Sequence, residues 1–127
     1  MDNDEILTAG YWGVLTAVEA GAPYAVPVIY GWDGQAAYVL MQPGRKERAL
    51  RGCTAACLSV CAGDGGTVLV RGRGEWVEEL TKKAHAADVV RRQMAGRRAP
   101  SIRDAARLVR AQVLKLVPLE VTRLEAP

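Results

Sequence analysis

Read for its alternation of apolar and polar positions, the chain opens on a short amphipathic turn and passes at once into three strands. Asp2, Asn3 and Asp4 offer an N-cap, Glu5 falls in the first turn, and Ile6 and Leu7 supply the apolar contact of a one- or two-turn helix ending near Gly10, a lid for one end of a barrel. In residues 11–19, YWGVLTAVE, Trp12, Val14, Thr16 and Val18 take one face and Tyr11, Leu15 and Ala17 the other. With apolar residues on both faces, this strand should be covered on both sides. AGAP (20–23) reads as a turn, with Gly21 free to take positive φ and Pro23 closing it. In YAVPVIYG, Tyr24, Val26, Val28 and Tyr30 then alternate with Ala25, Pro27 and Ile29. Pro27 cannot donate to a ladder, so it belongs at an edge or where pairing is broken. Asp33-Gly34 is a strong hairpin signal leading into AAYVLM, the third strand of a meander.

Gln42, Pro43 and Gly44 break that strand, and GRKERALRG follows as a helix of two turns with Ala49 and Leu50 inward and the basic residues outward. ACLSVCAG is a fourth strand, GDGG (63–66) a turn, and TVLVRGRGEWVEE a long fifth strand whose Gly72 and Gly74 mark a bulge, a bend or a close backbone approach, as at a barrel corner. Residues 80–95 show a sparse helical stripe of Ala87, Val90 and Met94. After the RRAPS break, Ser101 and Asp104 make a capping arrangement, and Ile102, Ala105, Ala106, Val109 and Val113 recur at helical spacing, which gives a helical hairpin. VLKLV, Pro118 and LEVTRLE then alternate as a final strand returning to the sheet.

Composition narrows the class. At 127 residues, half of them apolar, the chain suits one domain, residues 1–127, and the absence of Phe leaves the core to Val, Leu, Ile and Ala, as in a strand-rich fold. No run approaches the roughly 20 apolar residues of a membrane helix, and the acidic MDNDE is unlike a secretory signal, so the expectation is a soluble cytoplasmic protein without a membrane partner. Cys53, Cys57 and Cys61 are odd in number and read as reduced thiols. Their spacing fits no standard zinc or iron-sulfur pattern, and Cys57 and Cys61 read as small buried side chains on one face of a strand, so no metal is assigned.

The chemistry-bearing stretch is the helix start at Gly44, Arg45 and Lys46. Unpaired N–H groups, the positive end of the helix dipole, a glycine that admits a ligand to the backbone and two cations make an anion site suited to phosphate. Against three preceding strands, that site suits a phosphorylated planar ligand; the blander reading is a solvated basic face. No phosphate-loop or dinucleotide fingerprint, Ser-His-Asp set or paired-carboxylate motif is apparent. Tyr24, Tyr30 and Tyr38 are the candidates for residual general-acid work, set against simple packing. Two other classes stay open. The segment from Lys82 to Arg110 is basic although the whole chain carries only +3, which allows a nucleic-acid binder, but it lacks aromatic interleaving or a reading-helix motif. A non-enzymatic flavin or haem carrier would have His85 as its sole histidine ligand.

The phrase YWGVLTAVEAGAPYAVPVIYGWDGQAAYVLMQPGRKERALRG, with the G-x-G-x-W strand and the closing VLKLVPLEVTRLE, resembles the pyridoxamine 5'-phosphate oxidase-like FMN-binding split barrels, and among them the nitroimidazole-resistance-type branch. The resemblance implies a mostly β fold with flanking helices, a six-stranded Greek-key split β-barrel, working as a homodimer with FMN at each of two interfacial sites. It implies an oxidoreductase acting on a small-molecule substrate, in which Gly44, Arg45 and Lys46 hold the phosphate. Pro27, Val28, Ile29 and Tyr30 would flank the isoalloxazine, and Val39, Leu40 and Met41 would lie under the ribityl chain or ring. A flavin carries the redox chemistry itself, which accounts for the missing catalytic motifs.

Overall fold

Strands that alternate apolar and polar side chains need a dry side and a second side, and six of them obtain the dry side by closing on one another. The computed structural model describes residues 1–95 and 112–126. Its elements in chain order are α1 (Asn3–Ala9), β1 (Trp12–Glu19), β2 (Ala22–Trp32), β3 (Ala37–Met41), α2 (Arg45–Gly52), β4 (Ala55–Cys61), β5 (Thr67–Val77), α3 (Leu80–Met94) and β6 (Gln112–Leu124). The strands pair antiparallel in the order β1-β2-β3-β6-β5-β4, and Val14↔Ser59, Leu15↔Leu58 and Thr16↔Cys57 close the barrel. The expected mostly β, six-stranded split barrel with flanking helices is therefore what forms.

Parity sorts the side chains. Leu15, Val28, Tyr30, Val39, Leu58 and Val70 are among the residues that fill the barrel, and Leu50 of α2 reaches in from one end. At another place on the rim, α1 acts as the expected lid: Asp2 Oδ1 accepts the Glu5 N–H at 2.8 Å, Ile6 and Leu7 are buried, and the Tyr30 hydroxyl donates to the Leu7 carbonyl at 2.7 Å. A second apolar layer lies outside the barrel. There α3 covers Tyr38 and Val113 with Ala86, Val89, Val90 and Met94, a fuller stripe than the sequence suggested. It approaches so closely that a Cβ on Gly31 would sit 2.7 Å from the Val90 nitrogen.

Gln93 fastens this layer. Its Oε1 accepts the Trp32 N–H, and its Nε2 donates to the Leu7 carbonyl at 3.0 Å and the Gly10 carbonyl at 2.6 Å, so one side chain ties α3 to β2 and to the end of α1.

Several boundaries differ from the sequence reading. The first turn is only Ala20 and Gly21, both at positive φ (51° and 80°), and Pro23 already stands in β2 opposite Val18. Two residues at positive φ match the twist of the flanking strands. Pro27 fulfils its expectation: it pairs with Val14, while the β2–β3 ladder starts only at Tyr30. β6 runs through Pro118 because a bulge between Arg71 and Gly72 absorbs it, and a Cβ on Gly72 would run into the Val117 carbonyl oxygen. Val113 pairs with Leu40 and Val77 in β6 instead of ending a helix. The remainder of that expected helix, from Ser101 to Val109, lies outside the described residues.

The cysteines are also corrected. Leu58 and Val60 take the barrel side of β4, so Cys57 and Cys61 face outward, half-buried and exposed respectively, and all three thiols are free. Burial pushes the Cys57 thiol up from its ordinary range. Among the described residues no helix is long and apolar enough to cross a membrane.

Candidate functional site

The start of α2 is set by what Gly44 lacks. Among the described residues no side chain caps the helix and nothing fills the space above Gly44, and the first helical bond is Arg48 N–H to the Gly44 carbonyl at 3.0 Å. The N–H groups of the first turn therefore have no intrahelical acceptor. Ala49 and Leu50 anchor the other side of the helix in the core, so this end is held rigidly at the rim of the barrel.

Arg45 and Lys46 stand at that end, as the sequence indicated. Lys46 is half-buried. Arg45 is turned to the end of β1, where Nε and Nη2 meet the Glu19 carboxylate at 2.8 and 2.6 Å, and its guanidinium lies 4.5 Å from the centre of the Tyr24 ring. The hydrogen bond from Arg45 holds the Glu19 carboxyl below its ordinary range, and the same bond raises Arg45. A cleft of about 540 Å³ opens beside Glu19, lined by Val18, Ala20, Gly21, Arg48 and Gly52 among others.

The strand residues named with them divide by parity. Val28, Tyr30, Val39 and Met41 point into the barrel and are buried there, so toward the outside they present only backbone. Pro27 is exposed on the outer face, and Ile29 and Leu40 are half-buried there, packed with Tyr11 at the margin of the α3 layer. The structure thus offers a short apolar wall of Pro27, Ile29 and Leu40, with Gly44, Arg45 and Lys46 beyond the end of β3.

The other groups with possible chemistry gather at the opposite end of β2. Asp33 Oδ1 accepts the N–H groups of Gln35 and Ala36, both at 2.8 Å, and Oδ2 accepts the Tyr38 hydroxyl at 3.0 Å with His85 Nε2 at 3.3 Å. Burial raises the Asp33 carboxyl, but these donors outweigh it and hold it low. Burial and the bond to Asp33 push the Tyr38 phenol up to about 12. The tyrosines expected as acids are accordingly engaged: Tyr38 by Asp33, Tyr30 by Leu7, Tyr24 beneath Arg45. In the basic segment, Arg91 and Arg92 pair with Asp88, and Lys82 with Glu79.

Sequence reasoning missed Glu19, Asp33 as a hub, and Gln93. Glu19 carried no signal beyond ending a strand, because its partner is 26 positions away and only the hairpin brings them together.

A family model described as pyridoxamine 5'-phosphate oxidase matches residues 2–124. The chain belongs to the pyridoxamine 5'-phosphate oxidase family. No curated protein sequence matches it. Solved structures similar to this family member include a candidate 5-nitroimidazole antibiotic resistance protein from Bacteroides thetaiotaomicron, 19% identical, with a TM-score of 0.80 over 96% of this chain and 82% of that one. An FAD-binding protein from Mesorhizobium loti is 24% identical, with a TM-score of 0.74 over 97% of this chain and 91% of that one. A flavocytochrome from Azotobacter vinelandii is 20% identical, with a TM-score of 0.75 over 99% of this chain and 68% of that one. At these identities the likeness is one of fold.

Proposed function

We propose that this family member is a cytoplasmic FMN-binding oxidoreductase acting on a small organic substrate, built as a homodimer with FMN at each of two interfacial sites. The observation that carries the reading is the uncapped start of α2, with open space at Gly44 and two cations, a few residues beyond the end of β3, where Leu40 and Ile29 turn outward. This donor set fits a phosphate, and the wall fits one side of a flat ring. Gly44, Arg45 and Lys46 hold the phosphate. Pro27, Ile29 and Leu40 meet the ring with side chains, while Val28, Tyr30, Val39 and Met41 contribute backbone and keep the wall rigid from within. Bound flavin supplies the electron or hydride exchange with the substrate, and the protein binds, orients and excludes water. The flavin-related names of two of the similar structures, FAD-binding protein and flavocytochrome, point the same way.

The outer face of β2, β1 and β4 supports the dimer. Register places Pro27, Val14 and Ser59 in one row and Ala25, Thr16 and Cys57 in the next, and Trp12 is 49% exposed beside Ile29. The lack of charged side chains in these rows and the exposed aromatic beside them fit a surface that a second copy covers. The test is the absorption spectrum of the purified protein and the mass of any ligand it carries, followed by FMN titration of the Arg45→Ala/Lys46→Ala protein. A flavin spectrum and roughly tenfold weaker binding by the variant are expected, after allowing for solvent exposure of the pair. A colourless protein that takes up no added FMN refutes the proposal.

A further inference from the structure

We propose that Glu19 is an internal competitor for the phosphate site: its carboxylate occupies the edge of Arg45 that a phosphate takes, and so lowers the affinity for phosphorylated flavins specifically. The inference rests on the flavin reading of the site. A carboxylate and a phosphate engage a guanidinium in the same way, through two parallel N–H donors, and Glu19 already holds that geometry, with Nε at 2.8 Å and Nη2 at 2.6 Å. The arrangement is fixed from three sides. Glu19 is the last residue of β1, directly before the two-residue turn at Ala20 and Gly21. Arg45 lies over Tyr24, which β2 places opposite Ala17, two residues back from Glu19 along β1. Arg48, one turn along α2, adds its positive field to the same carboxylate, which stays ionised.

A phosphate arriving above Gly44 meets the free N–H groups and Lys46 directly, but Arg45 on different terms. Either Glu19 is displaced, and the pair is lost, or the guanidinium is shared. It has five N–H donors, of which the carboxylate uses two, so sharing is sterically open. Sharing brings two anions close together, which disfavours both. Each route costs phosphate affinity and neither touches the ring. Because the pair is solvent-exposed, with Arg45 61% and Glu19 34% accessible, the cost is modest. Glu19 thus works as a specificity-determining residue that narrows the advantage of a phosphorylated flavin over riboflavin.

The experiment titrates flavin-free protein with FMN and with riboflavin, using wild type, Glu19→Gln, Arg45→Ala and the double variant, with Glu19→Ala as a second probe of the same position. Glu19→Gln is expected to bind FMN roughly 3- to 10-fold more tightly, the scale of an exposed ion pair plus one like-charge contact, with riboflavin affinity unchanged. The gain should vanish when Arg45 is Ala. Unchanged or weaker FMN binding by both Glu19 variants, an equal gain for riboflavin, or a gain that persists without Arg45 overturns the proposal while leaving the flavin site standing. If wild type and variants bind neither flavin, the flavin reading fails and this inference falls with it.

Discussion

Replacing Gln93 by Ala is the sharpest perturbation of the frame that carries the site. The side chain accepts the Trp32 N–H and donates to Leu7 and Gly10, in a half-buried position between α3, β2 and the end of α1. A typical net contribution of about 0.5–1.5 kcal/mol per hydrogen bond puts the sum of three at about 1.5–4.5 kcal/mol. Water reaches part of the gap and the Leu7 carbonyl keeps the Tyr30 hydroxyl, so we expect a loss of about 2–4 kcal/mol, most of it from the Trp32 N–H and the Gly10 carbonyl. Urea unfolding followed by circular dichroism measures this directly, and an unchanged m-value keeps the comparison between the same two states. Gln93→Glu is the discriminating control: it retains an acceptor for Trp32 but sets a carboxylate against two carbonyl oxygens, so it should rescue nothing. A loss under about 0.5 kcal/mol for Gln93→Ala, or full rescue by Glu, would show that the apolar contacts of α3 hold it in place unaided.

Gly31→Ala should cost about 1–3 kcal/mol, since its Cβ would press on the backbone of Val89 and Val90, whereas Gly63→Ala, with nothing within 4 Å, should stay within about 0.5 kcal/mol of wild type in the same unfolding assay. Tyrosinate absorbance against pH should include a phenol ionising at about 12 that Tyr38→Phe removes. The sign follows from a folded pKa above the ordinary 10.0: the Tyr38–Asp33 contribution to stability is complete below pH 10 and disappears as pH rises through about 12. All tyrosines titrating near 10 in the folded protein would contradict the Asp33 hub.

Local pattern was enough where one rule acted alone. The meander could be read from alternation and Asp33-Gly34, the lid from Asp2 with Ile6 and Leu7, and the bulge from Gly72, because each reflects a backbone or burial requirement felt within a few residues. Val113 fits a helical and a strand period equally, and only its pairing with Leu40 and Val77 decides between them. The outward turn of Cys57 follows from Leu58 and Val60 claiming the core, a choice set by how β4 meets β1. At the candidate site, the cations at the head of α2 were legible, but the carboxylate facing Arg45 was not. That contact depends on where a two-residue turn and a crossing helix bring distant segments, which no periodicity encodes. Gln93 gave no signal for a related reason: a glutamine on a polar helix looks solvated until its neighbours are known.

The early end of the β2–β3 ladder has a consequence for association. Among the described residues, β2 is paired on one side only from Ala22 to Ile29, the place where a foreign strand could be stitched on, yet Pro23 and Pro27 interrupt its row of donors. The opening is barred to backbone zippering while its side chains stay accessible. Whatever meets this flank must be recognised by shape and apolar contact, so runaway polymerisation along the seam is blocked without sealing it.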